Sequence, residues 1–342
     1  MSHARPLADL RAADAAAFGG KSSALGELIQ AGIPVPPGFA VSTTAYRAFV
    51  EAAGLDRTIE AAMARVDPGD VDSVGAASHA IGEAMRSAAV PGDVRVAIAG
   101  RYDELGQPPV AVRSSALGED SSEATFAGQQ ETYLWVRGTE HVCDAVRDCW
   151  VSLYGAPAIA YRARLGAGAG EAAMGVAVQL MVDAEVSGVM FTCNPVSGDP
   201  SMVAVNASWG LGLAVVGGEV TPDDFLVSKV TGEVVREHVQ PKEVEYLPDP
   251  DGRGTVRVAV PEDRRERPCL DRDALGTLVE VGRRVERYFA SAQDIEWAIA
   301  RGDGALFVLQ SRPVTTRPAD RPKPASAMSL LMGTFGAGAV EE

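Results

Sequence analysis

The stretch from Asp294 to Arg312 constrains this chain more than any other, because it reads as a β-hairpin with its charge gathered on one patch. In the first arm Ile295, Trp297 and Ile299 face one way and Asp294, Glu296 and Ala298 the other. Gly302-Asp303-Gly304 supplies the turn, since glycine tolerates positive φ. In the second arm Leu306, Val308, Gln310 and Arg312 share a face. A loop of residues 302–304 puts Glu296 opposite Gln310 and Asp294 opposite Arg312. One small area of sheet then carries two carboxylates, an amide and a guanidinium.

Two carboxylates two residues apart on one strand face repel unless something neutralises them. A divalent metal does so, and oxygen ligands suit Mg²⁺. Arg312 keeps its charge and suits a fixed anion such as phosphate. The other reading is a surface hairpin laced by cross-strand ion pairs, as many charged strand faces are. The hairpin alone leaves both open.

Acidity limits the partners. The 342-residue chain carries 31 Lys and Arg against 46 Asp and Glu, a net charge of −15. Such a balance argues against non-specific binding to nucleic acid or to anionic membranes. An anionic substrate needs a locally built cationic pocket. The four cysteines, Cys143, Cys149, Cys193 and Cys269, show no C-x-x-C spacing and read as reduced thiols without a zinc site. No apolar run reaches the roughly 18 residues of a membrane span, and the N-terminus has no signal-peptide core. A cytoplasmic chain without membrane attachment is the expectation.

Residues 1–18 are polar and Ala-rich, and His3 falls in this tail. Gly19-Gly-Lys-Ser then opens a helix carrying Leu25, Leu28 and Ile29, with Ser22 or Ser23 as its cap. It is not a P-loop, because the required glycine five residues before Gly20 is Ala15. A glycine turn at a helix start still forms an anion site to which Lys21 adds charge; a surface lysine beside a cap fits the same residues. Ile33-Pro-Val-Pro-Pro-Gly is a rigid turn into a short strand. Residues 43–103 are Ala-rich and helical by pattern, broken near Pro68-Gly69 and Pro91-Gly92, with His79 on a surface helix.

Val110 to Ala116 is a strand with Arg113 near its end, running into a polar stretch, Gly118 to Gly128, that can fold over phosphates through backbone N–H groups. Residues 139–165 form one or two helices with Trp150, Tyr154 and Tyr161 in the core. Met174–Val182 is an apolar strand whose Gln179 either reads a purine edge or is a satisfied structural glutamine. Strands follow at Ser187–Pro195 and Val203–Gly212, hairpins across 225–260, and an amphipathic helix from Asp273 to Ala290. Four segments are expected: 1–105, 106–200, 201–316 and a flexible tail 317–342.

Gly19-Gly-Lys-Ser, Val112-Arg-Ser-Ser, Phe126-Ala-Gly-Gln-Gln-Glu-Thr, Ser187-Gly-Val-Met-Phe-Thr, Trp209-Gly-Leu-Gly, Val220-Thr-Pro-Asp, Asp294-Ile-Glu-Trp and Leu309-Gln-Ser-Arg-Pro occur in that order. Together they resemble the nucleotide-binding domain of the phosphoenolpyruvate synthase, pyruvate phosphate dikinase and rifampin phosphotransferase family, over roughly residues 15–315. The resemblance implies an α+β, ATP-grasp fold that clamps ATP between two subdomains, the first with an Ala-rich helical segment. It also implies ATP and Mg²⁺ as cofactors, with the β-phosphoryl group passed to a histidine to leave AMP and phosphate. By position, Lys21 and Arg113 match phosphate-binding cations, Gly128 and Thr132 the phosphate loop, and Gln179 the adenine contact. Glu296 and Gln310 match metal-site residues with Asp294 beside them, and Arg312 matches a phosphate-binding arginine. Arg113, Glu296 and Arg312 are the expected catalytic set.

Two departures stand out. The family's Gly-Leu-Gly-Glu reads Gly210-Leu-Gly-Leu213 here, which leaves open whether Glu219 takes the acidic role. The family's swivelling domain with its phosphoacceptor histidine also has no counterpart, since His3, His79, His141 and His238 lie in no such context. The expectation is therefore a dikinase-type ATP subunit whose histidine domain sits on a separate chain, as in phenylphosphate synthase. The final acceptor would be a small molecule: pyruvate, a phenol or an antibiotic hydroxyl. Alternatives are a segment of a larger enzyme, an ADP-forming ATP-grasp ligase and a non-catalytic nucleotide-binding subunit.

Overall fold

A computed structural model of the chain describes residues 2–116, 131–165, 172–250 and 254–314. Gly118 to Gly128, with its glycine-rich loop, and the tail 317–342 lie outside the described residues. Mixed helix and sheet make the protein α+β.

The first sheet uses β1 (Ala4–Pro6), β2 (Gly38–Val41), β3 (Val110–Ala116), β4 (Thr132–Val136) and β5 (Met174–Leu180), in the order β1-β2-β5-β3-β4. The second uses β6 (Ala184–Phe191), β7 (Met202–Trp209), β8 (Asp223–Ser228), β9 (Val234–His238), and the hairpin β12 (Gln293–Ala300) and β13 (Leu306–Pro313). Its order is β13-β12-β6-β7-β8-β9, and a separate ribbon pairs β10 (Val244–Pro248) with β11 (Thr255–Ala259). The two sheets therefore divide the chain between residues 180 and 184. The expected breaks at 105/106 and 200/201 fall inside sheets, because β5 carries hydrogen bonds to both β2 and β3, and β6 to β7. Residues before 18 are not a tail either: β1 pairs with β2, and Leu7 and Leu10 are fully buried.

The helices are α1 (Ala15–Phe18), α2 (Gly20–Gln30), α3 (Thr43–Ala52), α4 (Asp56–Met63), α5 (Val71–Ser87), α6 (Gly92–Glu104), α7 (Thr139–Ser152), α8 (Ala156–Leu165), α9 (Leu213–Val216), α10 (Glu262–Arg265) and α11 (Arg272–Phe289). Helices α3 to α7 pack their apolar sides on one face of the first sheet, where Val110, Val112, Val176 and Val178 meet Phe49, Tyr102 and Trp150. Trp150 and Tyr154 are buried as expected, whereas Tyr161 is half-buried. Alternation along β3 and β5 then sends Ala111, Arg113, Ala177 and Gln179 to the opposite face. A second core lies beneath the other sheet, where α11 buries Leu275, Leu278, Val281 and Val285 against Val186, Met190, Ile295 and Trp297. Each such side chain contributes about 1.5–3 kcal/mol on leaving water. Asp271 caps α11 by accepting from Ala274 N–H at 2.8 Å. Leu25 and Leu28 of α2 join this same core, so α2 packs on β13 as well as on β3 and β5 of the first sheet.

The hairpin holds a correction. Asp294 pairs with Arg312 and Glu296 with Gln310, as the sequence suggests. Beyond Glu296 the register shifts by one, and Trp297 pairs with Val308. The turn is longer than Gly302–Gly304, since Ala300 N–H bonds to Ala305 O, and a bulge at Leu309 restores the register. The bulge also reverses the alternation. Leu306 and Val308 turn to the core with Trp297, while Gln310 and Arg312 turn away from it with Glu296 and Asp294. The four second-arm residues thus do not share a face.

Candidate functional site

A cleft of about 460 Å³ opens where the two sheets and α2 meet. Its polar lining includes Lys21, Arg113, Thr132, Gln179, Glu296 and Gln310, brought from α2, β3, β4, β5, β12 and β13. The remaining wall is largely apolar, with Leu134, Met181, Val182, Leu211, Leu213 and Leu309 among its residues.

Lys21 reaches the cleft because α2 docks by its N-terminus on the end of β3. Gly19 precedes the helix with φ +84°, and a Cβ there would lie 1.9 Å from Ser115 O. Only glycine permits that approach. The expected caps Ser22 and Ser23 lie inside the first turn, since the helix starts at Gly20. Ser115 does the capping from across the sheet, its Oγ accepting from Ser22 N–H at 3.1 Å. Lys21 is 5% exposed, and its Nζ donates to Ser114 O at 3.1 Å, so it is not a surface lysine.

Arg113 bridges the sheets. Its Nη1 donates to Leu309 O at 3.3 Å and lies 3.7 Å from Glu296 Oε2. The carbonyl it meets belongs to the bulged residue, so the irregularity in β13 serves the contact between sheets. Arg113 Nε is buried and has no hydrogen-bond partner among the described residues. Thr132 pairs with Arg113 across β3 and β4. Gln179 is buried, and its Nε2 donates to Pro36 O at 3.3 Å, which fixes the amide in the cleft wall. That contact matches the structural reading of Gln179 and leaves the purine reading to experiment.

Asp294 and Arg312 sit two pairs further along the hairpin from Glu296 and Gln310 and do not line the cleft. They pair with each other, Arg312 Nε donating to Asp294 Oδ2 at 2.8 Å. Burial pushes the Asp294 carboxyl above its ordinary range, and the Arg312 guanidinium opposes the rise. Of the expected metal set, then, Glu296 and Gln310 face the cleft and Asp294 is engaged beside it. Gly128 lies outside the described residues. No group of three His, Cys, Asp or Glu side chains with metal-binding geometry occurs among the described residues. Mg²⁺ does not need one. It keeps waters and substrate oxygens in its shell, and one or two protein oxygens suffice. The Glu296 carboxylate and the Gln310 amide oxygen are hard donors of that kind.

The glycine-loop departure has a structural answer. Leu213 lines the cleft, and Glu219 does not. Glu219 is held elsewhere, accepting from Tyr246 Oη at 2.6 Å and from Arg257 Nε at 2.8 Å. Those bonds hold its carboxyl below the usual range, Tyr246 first. Asp223 of the Val220-Thr-Pro-Asp motif is structural too. Fully buried, it accepts from Lys242 Nζ at 2.5 Å, Gln240 N–H at 2.9 Å and Cys269 N–H at 2.8 Å. Sequence reasoning passed over the Leu309 carbonyl and Ser187. The first needed the bulge. The second stood in a quoted motif, and its Oγ donates to Gly210 O at 2.6 Å behind the glycine loop.

The cleft thus gathers two cations, Lys21 and Arg113, and two carboxylates, Glu131 and Glu296, between the two sheets of an α+β chain. Comparison with known proteins identifies the family. Residues 15–330 match the family described as pyruvate phosphate dikinase, AMP/ATP-binding domain, and the chain belongs to that family. It is thus an ATP-binding domain of the phosphoenolpyruvate synthase and pyruvate phosphate dikinase type. It is 40% identical over 316 residues to a probable phosphoenolpyruvate synthase of Methanocaldococcus jannaschii, covering 91% of this chain and 26% of that protein. It is 39% identical over 346 residues to the phosphoenolpyruvate synthase of Pyrococcus furiosus, covering 89% of this chain and 42% of that one. The prodigiosin synthesizing transferase PigC of Serratia marcescens is 38% identical over 301 residues, covering 88% and 32%. The chain spans less than half the length of these relatives. No helix among the described residues is long and apolar enough to cross a membrane.

Proposed function

We propose that the cleft is an ATP-grasp site that binds Mg·ATP, and that the chain is the nucleotide-activating part of a dikinase-type phosphotransferase. The observation that carries this is the convergence of Lys21, Arg113, Glu296 and Gln310, from both sheets and α2, on one cleft. Lys21 and Arg113 neutralise phosphate oxygens at fixed positions, and their partners Ser114 O and Leu309 O hold them there before the ligand arrives. Mg²⁺, when bound, screens the charge of adjacent phosphates; Glu296 and Gln310 would hold it. The apolar wall around Leu211 and Leu213 excludes water from the base and from the reacting phosphate. In this reading Arg312, which pairs with Asp294 outside the cleft lining, meets the outermost phosphate.

In the transfer itself the β-phosphoryl group goes to a histidine nitrogen, the bond to the α-phosphate breaks, and AMP leaves; the γ-phosphate is released as phosphate by water. None of His3, His79, His141 and His238 lines the cleft. His3 pairs with Asp93, and His141 Nδ1 lies 2.9 Å from Arg137 O at the start of α7. The nucleophile therefore comes from a histidine-bearing domain outside the described residues, on a separate chain in our reading, and passes the group to a small-molecule acceptor. Titration of the purified chain with ATP, with and without Mg²⁺, tests the site. Saturable binding that weakens at least tenfold in the Glu296→Ala variant is expected. Binding unaffected by Mg²⁺ and by that variant would sink the proposal. With the histidine domain supplied, AMP is the expected nucleotide product; ADP instead identifies a ligase.

A further inference from the structure

The loop that forms one wall of the cleft is held from outside by Tyr246 of β10, through its backbone carbonyl and its hydroxyl. Gly210 has φ +71°, and a Cβ there would lie 2.6 Å from Tyr246 O, so the loop and β10 touch backbone to backbone. Tyr246 O accepts from Leu211 N–H at 3.0 Å, at the start of the wall. Its hydroxyl donates to Glu219 Oε1, just past the end of α9. Glu219 is tied in turn to α9, its N–H bonding to Ala214 O at 3.0 Å, and to β11 through Arg257. One tyrosine thus grips both ends of the segment that presents Leu211, Gly212, Leu213 and Val215 to the cleft. Beneath it, Ala214, Val220 and Val244 form a small buried cluster on which Val215 and Tyr246 pack.

We propose that Tyr246 and Glu219 are positioning residues for the nucleotide, stapling the 211–216 wall to the β10–β11 ribbon so that the wall is set before the ligand binds. Neither side chain lines the cleft, so their effect on binding runs through the wall. The proposal rests on the ATP reading above. Its physical basis is pre-organisation: a wall held in place by the protein loses no freedom when the ligand arrives. The Tyr246–Glu219 bond is short and charge-assisted, the strong kind. It lies on an exposed ribbon rather than in either main core, so its loss loosens the wall more than it unfolds the chain.

The test uses the intact chain and Mg·ATP. Tyr246→Phe removes only the hydroxyl. Glu219→Ala removes its acceptor, and Glu219→Gln restores an acceptor without the charge. We expect Tyr246→Phe and Glu219→Ala to weaken Mg·ATP binding about fivefold, with Glu219→Gln between them and wild type. The double variant should be no weaker than Glu219→Ala alone, because Glu219→Ala already cuts the Tyr246 bond along with the Arg257 contact. Amide exchange at residues 211–219 of the ligand-free variants should rise at least threefold, roughly, with the rest of the protein unchanged. Binding within twofold of wild type, or additive effects in the double variant, would overturn the proposal. A wild-type chain that fails to bind Mg·ATP overturns the nucleotide reading and this positioning role together. The exchange measurement then still decides whether the staple holds the loop.

Discussion

Substituting Gly19 by alanine should damage both the fold and the cleft, by an amount the local geometry sets. Gly19 stands at φ +84° and ψ 160°, a conformation nearly confined to glycine. Holding alanine there costs about 1–3 kcal/mol. The new Cβ would also lie 1.9 Å from Ser115 O and 2.2 Å from Ser115 Oγ, both contacts impossible without movement. Overpacking of this kind adds about 1–3 kcal/mol. The N-terminus of α2 must lift off β3, which breaks the Ser22 N–H to Ser115 Oγ bond and draws Lys21 away from Ser114 O. A total loss of about 2–6 kcal/mol in urea denaturation is therefore expected, together with weaker Mg·ATP binding. Gly276→Ala is the internal control. It lies within α11 with nothing inside 4 Å of an added Cβ. That change should stabilise the protein by about 1 kcal/mol through helix propensity alone. A Gly19→Ala protein within about 0.5 kcal/mol of wild type, the scale of an ordinary surface substitution, would refute the reasoning.

Three other substitutions separate site from scaffold. Glu296→Ala should nearly abolish turnover in the complete system while costing about 1 kcal/mol or less, because its pairing with Arg113 is long at 3.7 Å and partly exposed; near-normal turnover at saturating Mg²⁺ would exclude the metal role. Arg312→Lys should fail in turnover despite its equal charge, since lysine lacks the planar fork; wild-type kcat in that variant would remove Arg312 from the site. Lys242→Met should leave turnover chemistry untouched in the folded fraction and cost about 3–5 kcal/mol, because it strands Asp223 in a fully buried position; a urea midpoint equal to wild type would show that the pair does not hold this corner.

Most of the site could be read from residue order, and most of what could not depends on one extra residue or on contacts between sheets. Alternation in β12 put Asp294 and Glu296 on the face away from Trp297, and the structure agrees. The opposite strand was harder. A three-residue turn gave the right partners for Glu296 and Asp294 only because a longer turn and the bulge at Leu309 cancel in register. Face assignments are not protected by that cancellation, so Leu306 and Val308 were misplaced. Strand composition carries no signal for this bulge, and the contact made there is tertiary: Leu309 O meets Arg113 from the other sheet. Lys21 shows the same limit. A Gly-Gly-Lys-Ser run announces a helix start, but its burial and its cap from Ser115 come from a strand over ninety residues away in sequence. The expected segment boundaries at 105/106 and 200/201 run through hydrogen-bonded sheets for a related reason. Strand β5 closes the first sheet only late in the chain, so any cut before residue 180 severs it. Family motifs marked Asp223 and Glu219 without distinguishing scaffold from cleft. Their partners Lys242, Tyr246 and Arg257 make that distinction.

Labelling with ATP carrying its radioactive phosphorus at the β position separates the readings of this cleft most sharply. The purified chain is incubated with labelled Mg·ATP alone, and then with the histidine-bearing domain of a phosphoenolpyruvate synthase relative. On the reading proposed above, the chain alone binds ATP and takes up no label. Adding the histidine domain produces AMP and an acid-labile, base-stable label on that domain. Stable label on His3, His79, His141 or His238 of this chain, or ADP as the nucleotide product when the histidine domain is present, would contradict it.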